Sequence, residues 1–512
     1  MYQQSAQALF EPKVNASISV RMRRGYGSAW QRLVPLWLIF NILLLGIGFV
    51  SHTGTNYFLF GFFFAYGIIA LSILLQVHSS ANLGSLFLWA IVIRLIFVFL
   101  IEAIPPDSTP GAITHFSNVI WKDEGYYLGA ARSLGQSFEA LAGMNVSNPY
   151  ERLAGYYAVW ILLFGDATVW GRLVNVFVGA ITSVILYDAL VQVVKEKTRR
   201  WIFWFTALSP VLVHFSIVYL KEAILVLGIS LIVSATVKLY DKGAILPQLA
   251  KIGLGVGIGV WARNSSLVPL LLPLGMTILA PKGSGPKGSG RQSKSLFVIA
   301  MLLATVLAGL LLAQPLQMVE FVEEFLSLRG VGIFLAAEQR LEEGISLSFP
   351  FFDAIIRLPD PLRSTGFVFL TMLSPVITSV WHLLPLVGSP DWYVFAVSSH
   401  AISWWACLPF IARAIYVAIR KQDAWWTGWS ICLLLWIIVA ANAKYGAGFD
   451  AFRYRDSLVP VIMLLAARGL DVTFYHKGTP ENKMWHFALR VYLVLVVSVI
   501  LLQGIGVIGM GR

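Results

Sequence analysis

The chain has 512 residues, of which 58% are hydrophobic and only 12% charged, against roughly 45–50% and 25% in a soluble domain. With a mean hydropathy of +0.75 it has too few polar side chains to cover a soluble surface, which excludes a large soluble enzyme and predicts a polytopic membrane protein. The net charge of +12 and pI of about 9.6 fit basic loops at the cytoplasmic membrane face better than a nucleic-acid partner, because the basic residues are dispersed over several loops.

A helix needs about 20 mostly apolar residues to cross a bilayer. Segments that qualify are Leu33–Ser51, Tyr57–Val77, Leu83–Ile104, Thr168–Val193, Trp201–Leu220 and Glu222–Tyr240. They are followed by Leu296–Ala313, Trp392–Ile419, Ala424–Asn442, Ser457–Phe474 and Phe487–Ile508. Ile252–Ala280 is too long for one straight helix and carries the polar run Arg263-Asn264-Ser265-Ser266. Gly366–Val387 holds Pro375, His382 and Pro385 and reads as re-entrant. Cys407 and Cys432 lie inside apolar runs, so neither a disulfide framework nor a zinc site is indicated.

The first 32 residues are polar and basic, with no cleavable signal peptide, and hold the N-terminus inside. Counting spans onward puts Pro105 to about Asp166 outside and the basic loop Lys195–Arg200 inside. The linker Pro281–Ser295, basic and without acid, belongs inside if Ile252–Ala280 is a hairpin of two short helices with Arg263 at its outer tip. The acidic stretch Gln314–Thr365 belongs outside. The expected fold is an all-α bundle of about 12–13 transmembrane helices, with interfacial helices in the first large outer loop. Residues 1–82 are a basic cytoplasmic N-terminus with two additional helices. Residues 83–475 form the main transmembrane module with outer loops 105–166 and 314–365, and residues 476–512 carry a C-terminal helix.

Polar groups at membrane depth are costly, which makes them candidates for function. Trp121-Lys122-Asp123-Glu124-Gly125-Tyr126-Tyr127 opens a helical pattern in the first outer loop. Its acids also suit an ordinary helix start, with Asp123 as N-cap and Glu124 in the first turn. Asn148-Pro149-Tyr150-Glu151-Arg152 begins a Tyr- and Trp-rich segment too short to span, which reads as a helix at the outer interface. Arg172 follows near the outer end of the next span, as a site residue or a snorkelling one. Leu208-Ser209-Pro210 and the charged turn Lys221-Glu222 come next, the latter equally readable as a hairpin with its charges in water. Near the C-terminus, Asn442-Ala443-Lys444-Tyr445-Gly446 and Phe452-Arg453-Tyr454-Arg455 precede a Pro460-containing span. Two arginines flanking a tyrosine suit a phosphate or an anionic lipid headgroup.

In this order the stretches resemble the GT-C superfamily of membrane glycosyltransferases. The likeness is strongest to the bacterial branch of lipid A aminoarabinose transferases and protein mannosyltransferases, over roughly Leu83 to Leu470. The resemblance implies transfer of a sugar from a polyprenyl-phosphate donor to a glycan, lipid or protein acceptor at the outer face of the plasma membrane. It implies Asp123 as general base, with Glu124 completing the acidic pair and Tyr127 matching a recurrent tyrosine. It calls for cations on the leaving lipid phosphate, for which Arg453 and Arg455 come first, then Arg263, with Arg172 and Lys221 also available. Tyr454 and Glu222 are supporting residues; many relatives carry an aspartate where this chain has Glu222. The superfamily admits a divalent metal, but only Asp123 and Glu124 have ligand-type spacing here, so no metal is assigned. The rival classes are a polysaccharide polymerase or ligase using a lipid-diphosphate donor, and a polytopic transporter or lipid flippase. Matching broken halves, the mark of many transporters, are not visible.

Overall fold

The computed structural model describes residue 31 and residues 33–51, 54–78, 82–103, 122–145, 148–166, 169–241, 244–262, 270–279, 358–359, 362–373, 392–443, 455–475 and 480–504. Among them the chain is 91% helical without a strand, so the class is all-α. Nine stretches of the described residues are long and apolar enough to cross a membrane, one of them, Glu196–Ile217, broken within, giving a multi-pass membrane architecture. Leu296–Ala313, the linker Pro281–Ser295 and most of Gln314–Thr365 lie outside the described residues.

Helices α1 (Leu33–Val50), α2 (Gly54–His78) and α3 (Leu83–Ala103) follow the apolar runs. Helices α1 and α2, expected as an addition ahead of the module, pack against it. The Tyr57 ring of α2 stacks on Trp170 with centroids 5.6 Å apart. Then come three short helices, α4 (Lys122–Leu134), α5 (Phe138–Ala142) and α6 (Pro149–Phe164), and the long α7 (Val169–Val193). The expected span Trp201–Leu220 corresponds to the candidate span Glu196–Ile217, which is broken into α8 (Glu196–Leu208) and α9 (Pro210–Ile217). Pro210 has no N–H to continue the ladder, and Ser209 caps the new helix by accepting from the Leu212 amide. Val218–Leu220 then run as buried, non-helical backbone into α10 (Glu222–Tyr240).

The next correction concerns the proposed hairpin. Its first arm, α11 (Ile245–Ala262), begins before Ile252 and is long enough to span, while α12 (Leu271–Leu279) is short. Sequence reading placed the start too late because Pro247, Gln248 and Lys251 interrupt the apolar pattern, and a proline in the first turn is compatible with a helix. Glycines let this arm lie close to α10: a Cβ on Gly255 would fall 2.6 Å from the Gly228 carbonyl oxygen. Helix α13 (Leu362–Leu373) ends before Pro375, so the remainder of the expected re-entrant segment lies outside the described residues. Helices α14 (Trp392–Arg420), α15 (Ala424–Ala443), α16 (Val459–Tyr475) and α17 (Pro480–Gly504) complete the bundle.

Polar ties lock both ends. At one end Asp471 of α16 accepts from the Lys195 amide and the Thr198 hydroxyl, both at 2.9 Å, which caps the start of α8. There too Glu481 of α17 binds Arg413 at 3.1 Å and also pairs with Arg420. At the other end lie the C-terminus of α3, the N-termini of α7, α10 and α16, and all of α4. Arg94 anchors the middle: it is fully buried and donates to Ser216 and Ser183 at 3.0 Å and to the Ala90 carbonyl at 2.7 Å. It also reaches the Ala207 carbonyl at 3.5 Å, a backbone acceptor at the end of α8, where the Ser209-Pro210 break ends the helix.

Candidate active site

The first assembly grows from α4. The Glu124 side chain in its first turn is completely buried and accepts a hydrogen bond from the Tyr219 amide at 2.7 Å. Arg172 in the first turn of α7 lies 3.8 Å from the same carboxylate and 3.2 Å from Glu102 at the end of α3. Its guanidinium also sits over the Tyr219 ring, 5.5 Å from the centroid. Beside it Asn175 donates to the Val218 carbonyl at 2.7 Å and to the Tyr157 hydroxyl at 2.9 Å. These bonds have a common purpose. Non-helical backbone is tolerated inside a membrane bundle only where other groups satisfy it, and Asn175 and Glu124 do so for Val218 and Tyr219. Gly171 makes the approach feasible, since a Cβ there would fall 2.2 Å from the Tyr219 ring.

The second assembly is a chain of four buried side chains. Arg455, immediately before α16, donates to Asp456 at 2.7 Å and to the Thr371 carbonyl of α13 at 2.8 Å. Its guanidinium lies 3.9 Å from the Trp404 ring centroid. The other Asp456 oxygen is 2.7 Å from His400 Nδ1, and His400 Nε2 is 2.9 Å from His214 Nδ1 on α9. Burial alone would raise the Asp456 carboxyl, but the Arg455 guanidinium and the His400 hydrogen bond hold it below the usual carboxylate range.

Several expectations change in this light. Arg172 does not snorkel: at 1% exposure it lies against two carboxylates. Arg455, expected as a phosphate ligand, lies against Asp456, Thr371 and Trp404. Glu124, expected in the acidic pair of the site, is held against the Tyr219 amide and the Arg172 guanidinium. Glu222, for which a solvated turn was one of two readings, is buried at 1% exposure, following the buried backbone of Val218–Leu220. Lys221 is partly exposed at the N-cap of α10, and Tyr127 is buried on α4. Asp123 belongs to the first turn of α4, but its side chain lies outside the described residues, as do Arg263, Arg453 and Tyr454.

No protein-family model and no curated protein matches this chain. Among the described residues no group of three or more His, Cys, Asp or Glu side chains is arranged to hold a metal ion. Sequence reading missed Glu102, His214, His400 and Asp456. The available signal was their type, ionisable groups inside or beside apolar runs.

Proposed function

We propose that the chain is a GT-C-type membrane glycosyltransferase, moving a sugar from a polyprenyl-phosphate donor to a hydroxyl of a glycan, lipid or protein acceptor. One convergence supports this reading: through its bonds to Tyr219 and Arg172, Glu124 draws together α4, the start of α7 and the turn into α10. These are three of the stretches whose order in the sequence carries the resemblance, and Arg455 reaches the same end of the bundle through His400 and His214. The basic residues Lys195, Lys197, Arg199 and Arg200 lie at the opposite end, which supports an outward-facing site by the positive-inside rule.

In this reading the acceptor oxygen attacks the anomeric carbon as the bond to the donor phosphate breaks. Asp123 takes the hydroxyl proton, and the lipid phosphate leaves with the electron pair. The developing charge needs a cation. That task falls first to Arg453 and Arg455, then to Arg263, with Arg172 and Lys221 also available and with Tyr127, Tyr454 and Glu222 in support. The test is transfer from a radiolabelled polyprenyl-phosphate sugar by membranes holding the full chain. Asp123→Asn should lower the rate about 10²–10⁴-fold, and Arg453→Ala should also slow it. Full transfer by the Asp123→Asn protein at normal expression overturns the base assignment, and no transfer by the unaltered protein overturns the reading.

A further inference from the structure

The start of α8 carries Lys195, Lys197, Arg199 and Arg200 against the single acid Glu196. The inner side of this helix is fixed. Thr198, Ile202 and Thr206 are buried, Asp471 of α16 holds the Lys195 amide and the Thr198 hydroxyl at 2.9 Å, and Arg94 reaches the Ala207 carbonyl at 3.5 Å. Lys197, Arg200, Trp201, Trp204 and Leu208 recur three or four positions apart and so share the outer side. All five are exposed, Trp201 at 69%. Arg199 is exposed as well, but it is in register with Ile202 and Thr206 on the other side of the helix, where its charge acts on Tyr187 of α7.

The outer side is graded by depth. A helix rises about 1.5 Å per residue, so along the span Glu196–Ile217 Trp201 and Trp204 lie about 6 and 10 Å deeper than Lys197, and Leu208 about 16 Å deeper. Cation, indole and aliphatic chain follow one another as phosphate, glycerol ester and acyl chain do in a lipid. Trp204 stands edge-on to Trp89 of α3, with ring centroids 5.4 Å apart. From there Ile93, Ile96 and Leu100 continue an apolar, partly exposed side of α3. Among the described residues Arg413 and Arg420, at the same end of the bundle, are spent on Glu481, whereas Lys197 and Arg200 form no ion pair.

We propose that the outer side of α8, together with Trp89 of α3, is a binding site for one anionic phospholipid of the leaflet at that end of the bundle. Lys197 and the forked guanidinium of Arg200 hold the phosphate, Trp201 and Trp204 the glycerol esters, and Leu208 with the exposed side of α3 the chains. A zwitterionic headgroup brings its own cation to the same place and gains less. An acidic protein segment matches the two cations but leaves Trp201, Trp204 and Leu208, which lie within a span, without a partner. The lipid fixes to the bilayer a helix already tied to α16 and Arg94, and so sets the depth of the Ser209-Pro210 break. The site does not depend on which group the protein transfers.

The test is labelling of the full-length protein, in phosphatidylcholine nanodiscs, by a photoreactive phosphatidylglycerol, with a photoreactive phosphatidylcholine as control. Labelled peptides are located by mass spectrometry. The phosphatidylglycerol probe should mark α8, and excess unlabelled phosphatidylglycerol should displace it. A surface cation contributes about 1 kcal/mol of attraction to an anionic lipid. Lys197→Gln and Arg200→Gln should therefore each raise the concentration for half labelling about fivefold. Arg199→Gln removes the same charge one residue away, on the wrong side, and should leave it at the parent value. An equal loss with Arg199→Gln shows a general surface attraction and overturns the site. Equal labelling of α8 by the two probes, or labelling confined to other helices, overturns it too. All three substituted side chains are exposed, so the packed side of α8 stays intact in each variant.

Discussion

The Glu102–Arg172–Glu124 assembly and the Arg455–Asp456–His400–His214 chain occupy the same end of the bundle and are equally buried, yet they are made of different material. The first uses one arginine and two glutamates, types that keep their charge around neutral pH, and spends them on fixing backbone. The second places two imidazoles behind a carboxylate whose charge an arginine maintains. Burial of charge thus serves two ends within one turn of α9. One assembly holds Tyr219 still; the other ties α9, α13 and α14 to the segment before α16 through one run of hydrogen bonds.

The difference can be broken from either side. The largest effect should come from Arg172→Leu, which strands two buried carboxylates. Removing one partner of a buried ion pair costs about 3–5 kcal/mol, visible as a lower unfolding midpoint and reduced folded yield in detergent. An Arg172→Leu protein with the stability of the parent would mean that this assembly does not hold the fold. Next in size, Glu124→Ala takes the acceptor from the buried Tyr219 amide, at a cost of about 1–3 kcal/mol. Glu124→Gln keeps an acceptor and should recover most of it. Amide hydrogen exchange over Val218–Leu220 reports this, fast in the alanine variant and slow in the glutamine one.

The smallest effect lies on the acid side of the second assembly. Because the Asp456 carboxyl is held below its ordinary value of 3.8, its contribution to stability is present above that value. It should be lost as the pH falls through the lower value of the folded state. The unfolding midpoint of the unaltered protein should therefore fall at the acid extreme, and Asp456→Asn should flatten that limb. An unchanged acid limb in the variant would show that other carboxylates govern it.

Much of the framework could be read from the chain. The apolar runs locate α1, α2, α3, α7, α10 and α14 closely, because a span must be long, apolar and internally hydrogen-bonded, all local demands. The break at Ser209-Pro210 is visible in two letters, although the sequence reading ran one span through it and beyond Val218. The start of α11 was missed because its first turns are weakly apolar. The polar stretches were partly legible: Glu124 and Arg172 stood out as charges near apolar segments, but their task did not. Glu102 closes an apolar helix like any terminal acid, and His214 sits in the middle of Val211-Leu212-Val213-His214-Phe215 without a motif around it.

The amino-acid sequence by itself determined that this is an all-α, multi-pass membrane protein and where most helices begin and end, since hydrocarbon thickness and backbone satisfaction act along the chain. Only the tertiary structure decided which charges are spent on one another. Glu102 and Arg172 are separated by 70 positions, Glu124 and Tyr219 by 95, and His214 and His400 by 186. A charge inside a membrane must find its partner wherever packing brings one, and that search runs across helices, not along them.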